Sequence, residues 1–240
     1  MGEKTKTKQA TLSIMRIATY NIHRAIGFDG NQDIERIYKI LQSLDADIIA
    51  LQEVNFETKE CENVLQYWAD RTQMTAIKGV TFKDQRGNFG NAILTRLPYL
   101  EYKLHDISKT GREPRLAIEL ELQIKHQKVQ IIATHLGLKA SERRQQIDYL
   151  LDKVCDSDAK IKILLGDLNE WFRWSRQLRR LRNFFGPIET PHTFPAIWPF
   201  LSLDRFWITS QSSIKSIQVP RSSTAKLASD HLPLLVEVEI

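Results

Sequence analysis

Nine polar side chains fall where a folded core has no use for them. Asn21 follows the apolar run IATY, Glu53 follows IIALQ, His135 follows QIIAT, and Asp167 and Asn169 surround the end of ILLG. Asp204 opens DRFWI, Asn91 stands early in GNAILTR, and Asp230 and His231 precede the last apolar stretch in SDHLPL. Each is explicable alone, because Asp and Asn favour turns and helix caps and a lone histidine is often structural. Brought to one edge, they make a cluster of four carboxylates, two imidazoles and three carboxamides.

Each type has a chemical role. Hard oxygen donors such as Glu53 and Asp230 suit Mg2+, which keeps several waters and uses one or two carboxylates. Mn2+ is the alternative ion. Asn169, His135 and His231 can hold phosphate oxygens and stabilise charge developing on them. A carboxylate behind a histidine fixes its tautomer and orientation. There is no G-x-S-x-G nucleophile motif and no phosphate-binding P-loop. Water is therefore the expected nucleophile, activated by a metal or a base.

Those residues must be positioned by strands. RIATYNI (16–22) and DIIALQEV (47–54) are apolar and β-branched, as buried strands are. Between them Ile34, Ile37, Leu41 and Leu44 recur at helical spacing behind Asp33, which suits the helix start. A second helix is expected over about 60–72, and a turn and strand over 87–98. The stretch 115–124 alternates apolar and polar residues, and 128–138 reads as its hairpin partner. A helix over 141–154, capped by Ser141, leads to the strand 161–166, and further strands are expected near 204–209, 214–219 and 234–240. Early helix–strand alternation with hairpins in the middle predicts an α+β fold in which two β-sheets pack together with helices outside. There is no repeat and no linker, so 15–240 reads as a single domain and 1–14 as a disordered leader.

Composition narrows the setting. The chain has 240 residues with a net charge of +5, which permits an anionic partner without requiring one. Cys61 and Cys155 lie far apart in no metal-binding spacing, so reduced thiols in a cytoplasmic protein are expected. No apolar run is long enough to span a bilayer, and the start of the chain lacks the apolar core of a secretory signal.

ATYNIH, DIIALQEV, GNAILTR, ATHLG, LLGDLNEW, LDRFW and SDHLPL together, and in this order, resemble the motif set of the endonuclease/exonuclease/phosphatase superfamily. The resemblance covers the chain from about residue 15 onward. It implies a four-layer α/β/β/α sandwich with two mixed sheets packed face to face, and Mg2+-dependent phosphoester hydrolysis. It implies Glu53 as the metal-binding glutamate, with Asn21 and Asp230 beside the ion. His135, Asp167, Asn169, Asp204 and His231 would be catalytic, with Asp204 paired to His231 and Asp167 with Asn169 orienting water and phosphate. Asn91 and Arg115 would contact the substrate phosphate. GDLN and DRFW depart from the commoner GDFN and DRIF without touching a catalytic atom. The expected protein is a monomeric phosphodiesterase acting on nucleic acid or a phospholipid head group. The rival reading is a non-catalytic binding module on the same fold.

Two segments stand outside that scheme. FRWSRQLRRLRNFF (172–185) places Leu178, Leu181 and Phe185 on one helical face and five arginines from Arg173 to Arg182 elsewhere. It reads as a solvated basic helix, or as a patch for phosphate or anionic lipid. HTFPAIWPFLSLD (192–204) is rich in aromatics and proline. It is expected to pack over the rim of the site, or to meet a membrane or the apolar part of a substrate.

Overall fold

The computed structural model describes residues 14–240. The leader expected over 1–14 therefore lies outside the described residues except for Ile14, which already belongs to the first strand. In chain order the elements are β1 (Ile14–Asn21), α1 (Ile34–Leu44), β2 (Ile48–Asn55), α2 (Val64–Thr72), β3 (Thr75–Asp84), β4 (Gly87–Thr95), β5 (Glu101–Asp106), β6 (Leu116–Ile124) and β7 (Gln127–His135). They continue with α3 (Ala140–Asp156), β8 (Ile161–Asp167), α4 (Arg176–Phe185), β9 (Asp204–Ile208), β10 (Ile214–Gln218), α5 (Ser223–Ala228) and β11 (Leu234–Glu239).

Two mixed sheets result. One runs β10-β11-β1-β2-β4-β3 and the other β5-β6-β7-β8-β9. The pairs β1–β2 and β7–β8 are parallel, and the other neighbours are antiparallel. Strand alternation divides the apolar residues between faces. Ile17, Ile48, Ile93, Ile118, Ile131 and Ile163 pack between the sheets. On the outer face of the larger sheet, Tyr20, Leu51 and Leu94 meet Ile37 and Leu41 of α1, Trp68 of α2 and Ala225 of α5. On the smaller sheet, Ile132, Leu164 and Trp207 meet Leu150 of α3 and Leu181 of α4. The result is the four-layer sandwich.

Local chemistry sets the element ends. Asp33 caps α1 by accepting from the Arg36 N–H at 2.8 Å. α2 begins at Val64 rather than near 60, because Asn63 accepts from the Gln66 N–H at 3.1 Å. α3 begins before Ser141, so the expected Ser141 cap is corrected. The Glu142 carboxylate instead reaches back to the Lys139 N–H at 3.4 Å. β4 stops at Thr95, whose Oγ1 accepts from the Leu97 N–H at 3.0 Å and turns the chain. The basic segment does form a helix, α4, with Ser175 as its cap and Leu178, Leu181 and Phe185 buried.

Candidate active site

The inner faces of the strands carry the polar residues to one open end of the sandwich. Asn21 continues the face of Ile17 in β1, His135 that of Ile131 in β7, Asp167 that of Ile163 in β8, and Asp204 that of Phe206 in β9. Simple alternation would send Glu53 outward with Leu51. A bulge between Leu51 and Val54 prevents this by inserting an extra residue opposite β4. Gln52 and Glu53 consequently both face inward. Gln52 Oε1 accepts from Thr19 Oγ1 at 3.1 Å, and Glu53 Oε1 accepts from Asn21 Nδ2 at 3.1 Å. Gly166 is required one residue before Asp167, because its φ is +138° and a Cβ there would lie 1.9 Å from Thr134 O.

Asp167, Asp204 and His231 form the buried centre, with one donor atom from each lying within 4.8 Å of the others. His231 Nδ1 donates to Asp204 Oδ2 at 2.8 Å, and Nε2 stands 3.6 Å from Asp167 Oδ2. Burial opposes a charged imidazole, but the carboxylates of Asp204 and Asp167 outweigh it and hold His231 up to about 10. Burial raises Asp167 to about 6, a rise held back by the His231 charge. Asp167 is fixed by the Asn169 N–H on Oδ1 at 2.8 Å and by Asn21 Nδ2 on Oδ2 at 3.0 Å. Asn21 spans the two carboxylates Glu53 and Asp167 through one amide nitrogen, while its Oδ1 accepts from the His23 N–H at 3.1 Å.

His135 is the second centre. Arg115 Nη1 lies 2.9 Å from its Nδ1. A guanidinium only donates, so Nδ1 accepts and the ring proton sits on Nε2. Burial, then the Arg115 and His231 charges, pushes His135 well below the usual histidine range, so it is neutral. Its Nε2–H faces Asn169 Nδ2 at 3.0 Å, and that amide spends one hydrogen on Leu136 O at 2.8 Å. Two donors thus converge with no acceptor between them, and His135 Nε2 stands 3.6 Å and 4.0 Å from the Asp167 and Glu53 carboxylates.

The remaining expected residues sit around this core. Asn91 Nδ2 donates to Leu116 O at 2.8 Å and ties the two sheets, leaving its Oδ1 as the free atom. Arg115 is buried behind His135 and pairs with Glu113 at 3.0 Å. Asp230 stands at the mouth, half-exposed, with His23 Nδ1 4.0 Å from its Oδ1. Phe194 lies against His231 with ring centroids 4.8 Å apart, and Trp171 packs on Phe194 at 6.1 Å. Beyond them Trp174 and Trp198 are 82% and 79% exposed. Ser229, which donates to Asn21 O at 2.8 Å, and His23 are the neighbours sequence reasoning did not single out. Their only signal is adjacency to Asn21 and Asp230.

The donor set fits a hard divalent cation. Asn21 Nδ2 holds the Glu53 and Asp167 carboxylates together, Asp167 and Asp204 share a cluster with a cationic imidazole that is already committed, and Asp204 Oδ1 is buried without a partner. No helix among the described residues is long and apolar enough to cross a membrane.

The sequence profile described as "Endonuclease/Exonuclease/phosphatase family" matches residues 18–231. A curated relative, Uncharacterized protein YbhP of Escherichia coli (strain K12), is 25% identical, with 94% of this chain and 96% of that protein covered. The endonuclease/exonuclease/phosphatase of Bacteroides vulgatus superposes with a TM-score of 0.76 at 18% identity, covering 95% of this chain and 99% of that one. D. rerio TDP2 complexed with single strand DNA product superposes with a TM-score of 0.71 at 17% identity, covering 95% and 100%.

Proposed function

Because the chain belongs to the endonuclease/exonuclease/phosphatase family, whose members are generally metal-dependent phosphoester hydrolases, we propose that it is a Mg2+-dependent phosphodiesterase. The observation that carries this reading is the pair of facing donors, His135 Nε2–H and Asn169 Nδ2–H, opposite the Asp167 carboxylate. An oxygen of a phosphodiester accepts from both donors, which stabilise the charge it gains as water attacks phosphorus. Asp167, raised to about 6, is matched to accepting the proton of that water near neutral pH. His231, held by Asp204, adds a fixed positive charge beside the reacting group. The new P–O bond forms to the water oxygen as the bond to the alcohol breaks, and the departing oxygen takes a proton from solvent at the open mouth. Glu53, with Asp230 at the mouth, would hold the ion, while Asn21 orients the Glu53 and Asp167 carboxylates. The bound ion supplies Lewis-acid polarisation of the phosphoryl group and a more acidic water. Mn2+ is the expected substitute.

The preferred substrate is a phospholipid head group presented at a membrane surface. Trp171, Phe172 and Trp174 on one loop and Ile197, Trp198 and Phe200 on another are all exposed, and the Trp171–Phe194 contact links the two loops. Amphipathic aromatic rings suit a lipid–water boundary. The second reading is a nucleic acid, since exposed rings also stack on unpaired bases. D. rerio TDP2, a structural neighbour, is complexed with single strand DNA product.

Hydrolysis of bis(p-nitrophenyl) phosphate with Mg2+, Mn2+ or EDTA, followed by phospholipid vesicles and DNA and RNA oligonucleotides, tests the proposal. Turnover should require metal and fall about 100-fold or more in His231→Ala. Absence of metal-dependent cleavage across the whole panel would leave the binding-module reading.

A further inference from the structure

β9 separates two polar sites. Asp204 points between the sheets with Phe206, whereas Arg205 shares the outer face with Trp207, beneath α4. On that outer face lies a pocket of about 470 Å3, lined by Arg173, Arg182, Arg205, Thr190, His192 and Glu189 among others. Its volume falls in the range of small-ligand sites.

Arg205 is the anomaly in it. The residue is 8% exposed, yet its guanidinium makes no hydrogen bond or ion pair with any described residue, and its Nε is buried without a partner. Buried cations are almost always paired, because removing a charge from water is costly. The nearby carboxylates do not serve it. Glu170 is bonded to Arg143 at 3.2 Å, Asp204 is bonded to His231 on the far side of the strand, and Glu189 is exposed on the pocket wall without an ion pair among the described residues. Two more arginines reinforce the positive field. Burial, then the Arg182 and Arg173 charges, lowers Arg205 to about 10. Arg182 donates to the Arg173 backbone carbonyl, which anchors the loop that carries Arg173 into the pocket. A neutral donor also lacks a partner there, since Thr190 Oγ1 is buried and unbonded. Ser202 Oγ donates to Thr190 O at 2.8 Å and so accepts from His192 Nδ1 at 3.0 Å, which fixes the histidine in the pocket wall.

We propose that Arg173, Arg182 and Arg205 form a binding site for a phosphate-bearing anion, separate from the catalytic cleft on the other face of β9. Planar guanidinium groups match phosphate oxygens in pairs, and an anion in the pocket would meet an Arg205 charge that no described carboxylate neutralises. The phosphate has two chemical sources, a soluble phosphoanion or a lipid head group. Arg173 stands between the exposed Phe172 and Trp174, so a membrane-borne phosphate reaches the pocket beside apolar anchors.

Calorimetric titration of the full chain with inorganic phosphate, in EDTA, isolates this site from metal-dependent hydrolysis. Sedimentation with phosphatidylcholine vesicles, with and without phosphatidic acid, tests the lipid source. Arg173→Ala/Arg182→Ala and, separately, Arg205→Met should each weaken binding on the order of tenfold or more, as loss of charge-assisted contacts does. Arg176→Ala/Arg179→Ala removes the same charge as the first pair from exposed positions of α4 outside the pocket and should leave binding unchanged. Phosphate binding without vesicle preference supports the site with a soluble ligand, and phosphatidic-acid-dependent sedimentation lost only in the pocket variants supports it with a lipid. The proposal is overturned if neither probe binds, if Arg173→Ala/Arg182→Ala binds like the parent, or if both arginine pairs weaken binding equally.

Discussion

Replacing Arg115 by Met tests whether His135 works through a fixed tautomer. Arg115 Nη1 donates to His135 Nδ1 at 2.9 Å, and no other hydrogen bond to that nitrogen comes from a described residue. The bond places the ring proton on Nε2, facing Asn169 and the carboxylates. A hydrogen bond to a charged group contributes about 1.5–3 kcal/mol, and each 1.36 kcal/mol is tenfold in rate, so releasing the tautomer should cost about 10- to 150-fold in kcat. The Arg115 charge is also one of the causes that hold His135 below its usual range. Its removal should therefore move the acid limb of the pH–rate profile to higher pH, because His135 protonates more readily. Arg115→Lys keeps the charge but not the planar donor, and should restore the acid limb while recovering only part of kcat. The assay is Mg2+-dependent hydrolysis of bis(p-nitrophenyl) phosphate from acid to neutral pH, with circular dichroism to show that the variants fold. A folded Arg115→Met protein with kcat within about twofold of the parent and an unmoved acid limb would refute the reasoning.

Three further outcomes follow from the same geometry. Gly166→Ala should cost about 3 kcal/mol or more, since the new Cβ would meet Thr134 O at 1.9 Å in a backbone with φ +138°; a thermal melt shifted by less than about 2 °C would contradict the strand contact. In EDTA, the charged His231 stabilises the fold fully below the ordinary histidine value and loses that contribution as pH rises through about 10, so melting temperature should fall across that window. Asp204→Asn should flatten the fall, and an equal decline in parent and variant would show that the Asp204–His231 pair does not supply it. Trp174→Ala/Trp198→Ala should lower hydrolysis of phospholipid in vesicles by about tenfold or more while sparing soluble bis(p-nitrophenyl) phosphate; equal loss on both substrates would place these rings in the chemistry rather than in docking.

The sandwich was legible where burial leaves a period in the sequence. IIALQEV and ILLGD read as strands because both their faces are covered, and α1 showed its apolar stripe from Ile37 to Leu44. β3 and β5 went unread for the opposite reason. Both are sheet edges, and β5 presents Glu101, Tyr102, Lys103 and Leu104 to solvent, so neither supplies a clean apolar alternation. α5 has only six residues, too few for a helical period to emerge. The site residues were legible as a set because each interrupts an apolar strand at the same end. Their partners were not. Nothing in GREPRLAI distinguishes an arginine that reaches phosphate from one bonded to His135, and nothing in LDRFW separates the inward Asp204 from the outward, unpaired Arg205 except the alternation of a strand whose covering layer must first be known.

Backbone strain marks a second boundary of what the sequence can declare. Glu53 and Asn169 have φ of +56° and +50°, and His23, Arg24 and Ala25 have 45°, 56° and 60°. Such conformations cost on the order of 1–3 kcal/mol each for residues other than glycine, so neighbouring contacts must hold them. The contacts are specific. Asn169 is fixed by its N–H to Asp167 and its amide to Leu136, Glu53 is gripped by Asn21, and Arg24 is tied to Asn55 and, at 2.9 Å, to Asp84. Relaxing Glu53 would undo the bulge and return its carboxylate to the apolar outer face beside Leu51. Relaxing Asn169 would separate its amide from His135. The strain therefore falls on side chains that must approach the centre from directions that regular strands do not provide. Local propensity is a poor guide there, because the preferred backbone of Glu or Asn is the one the site has to override.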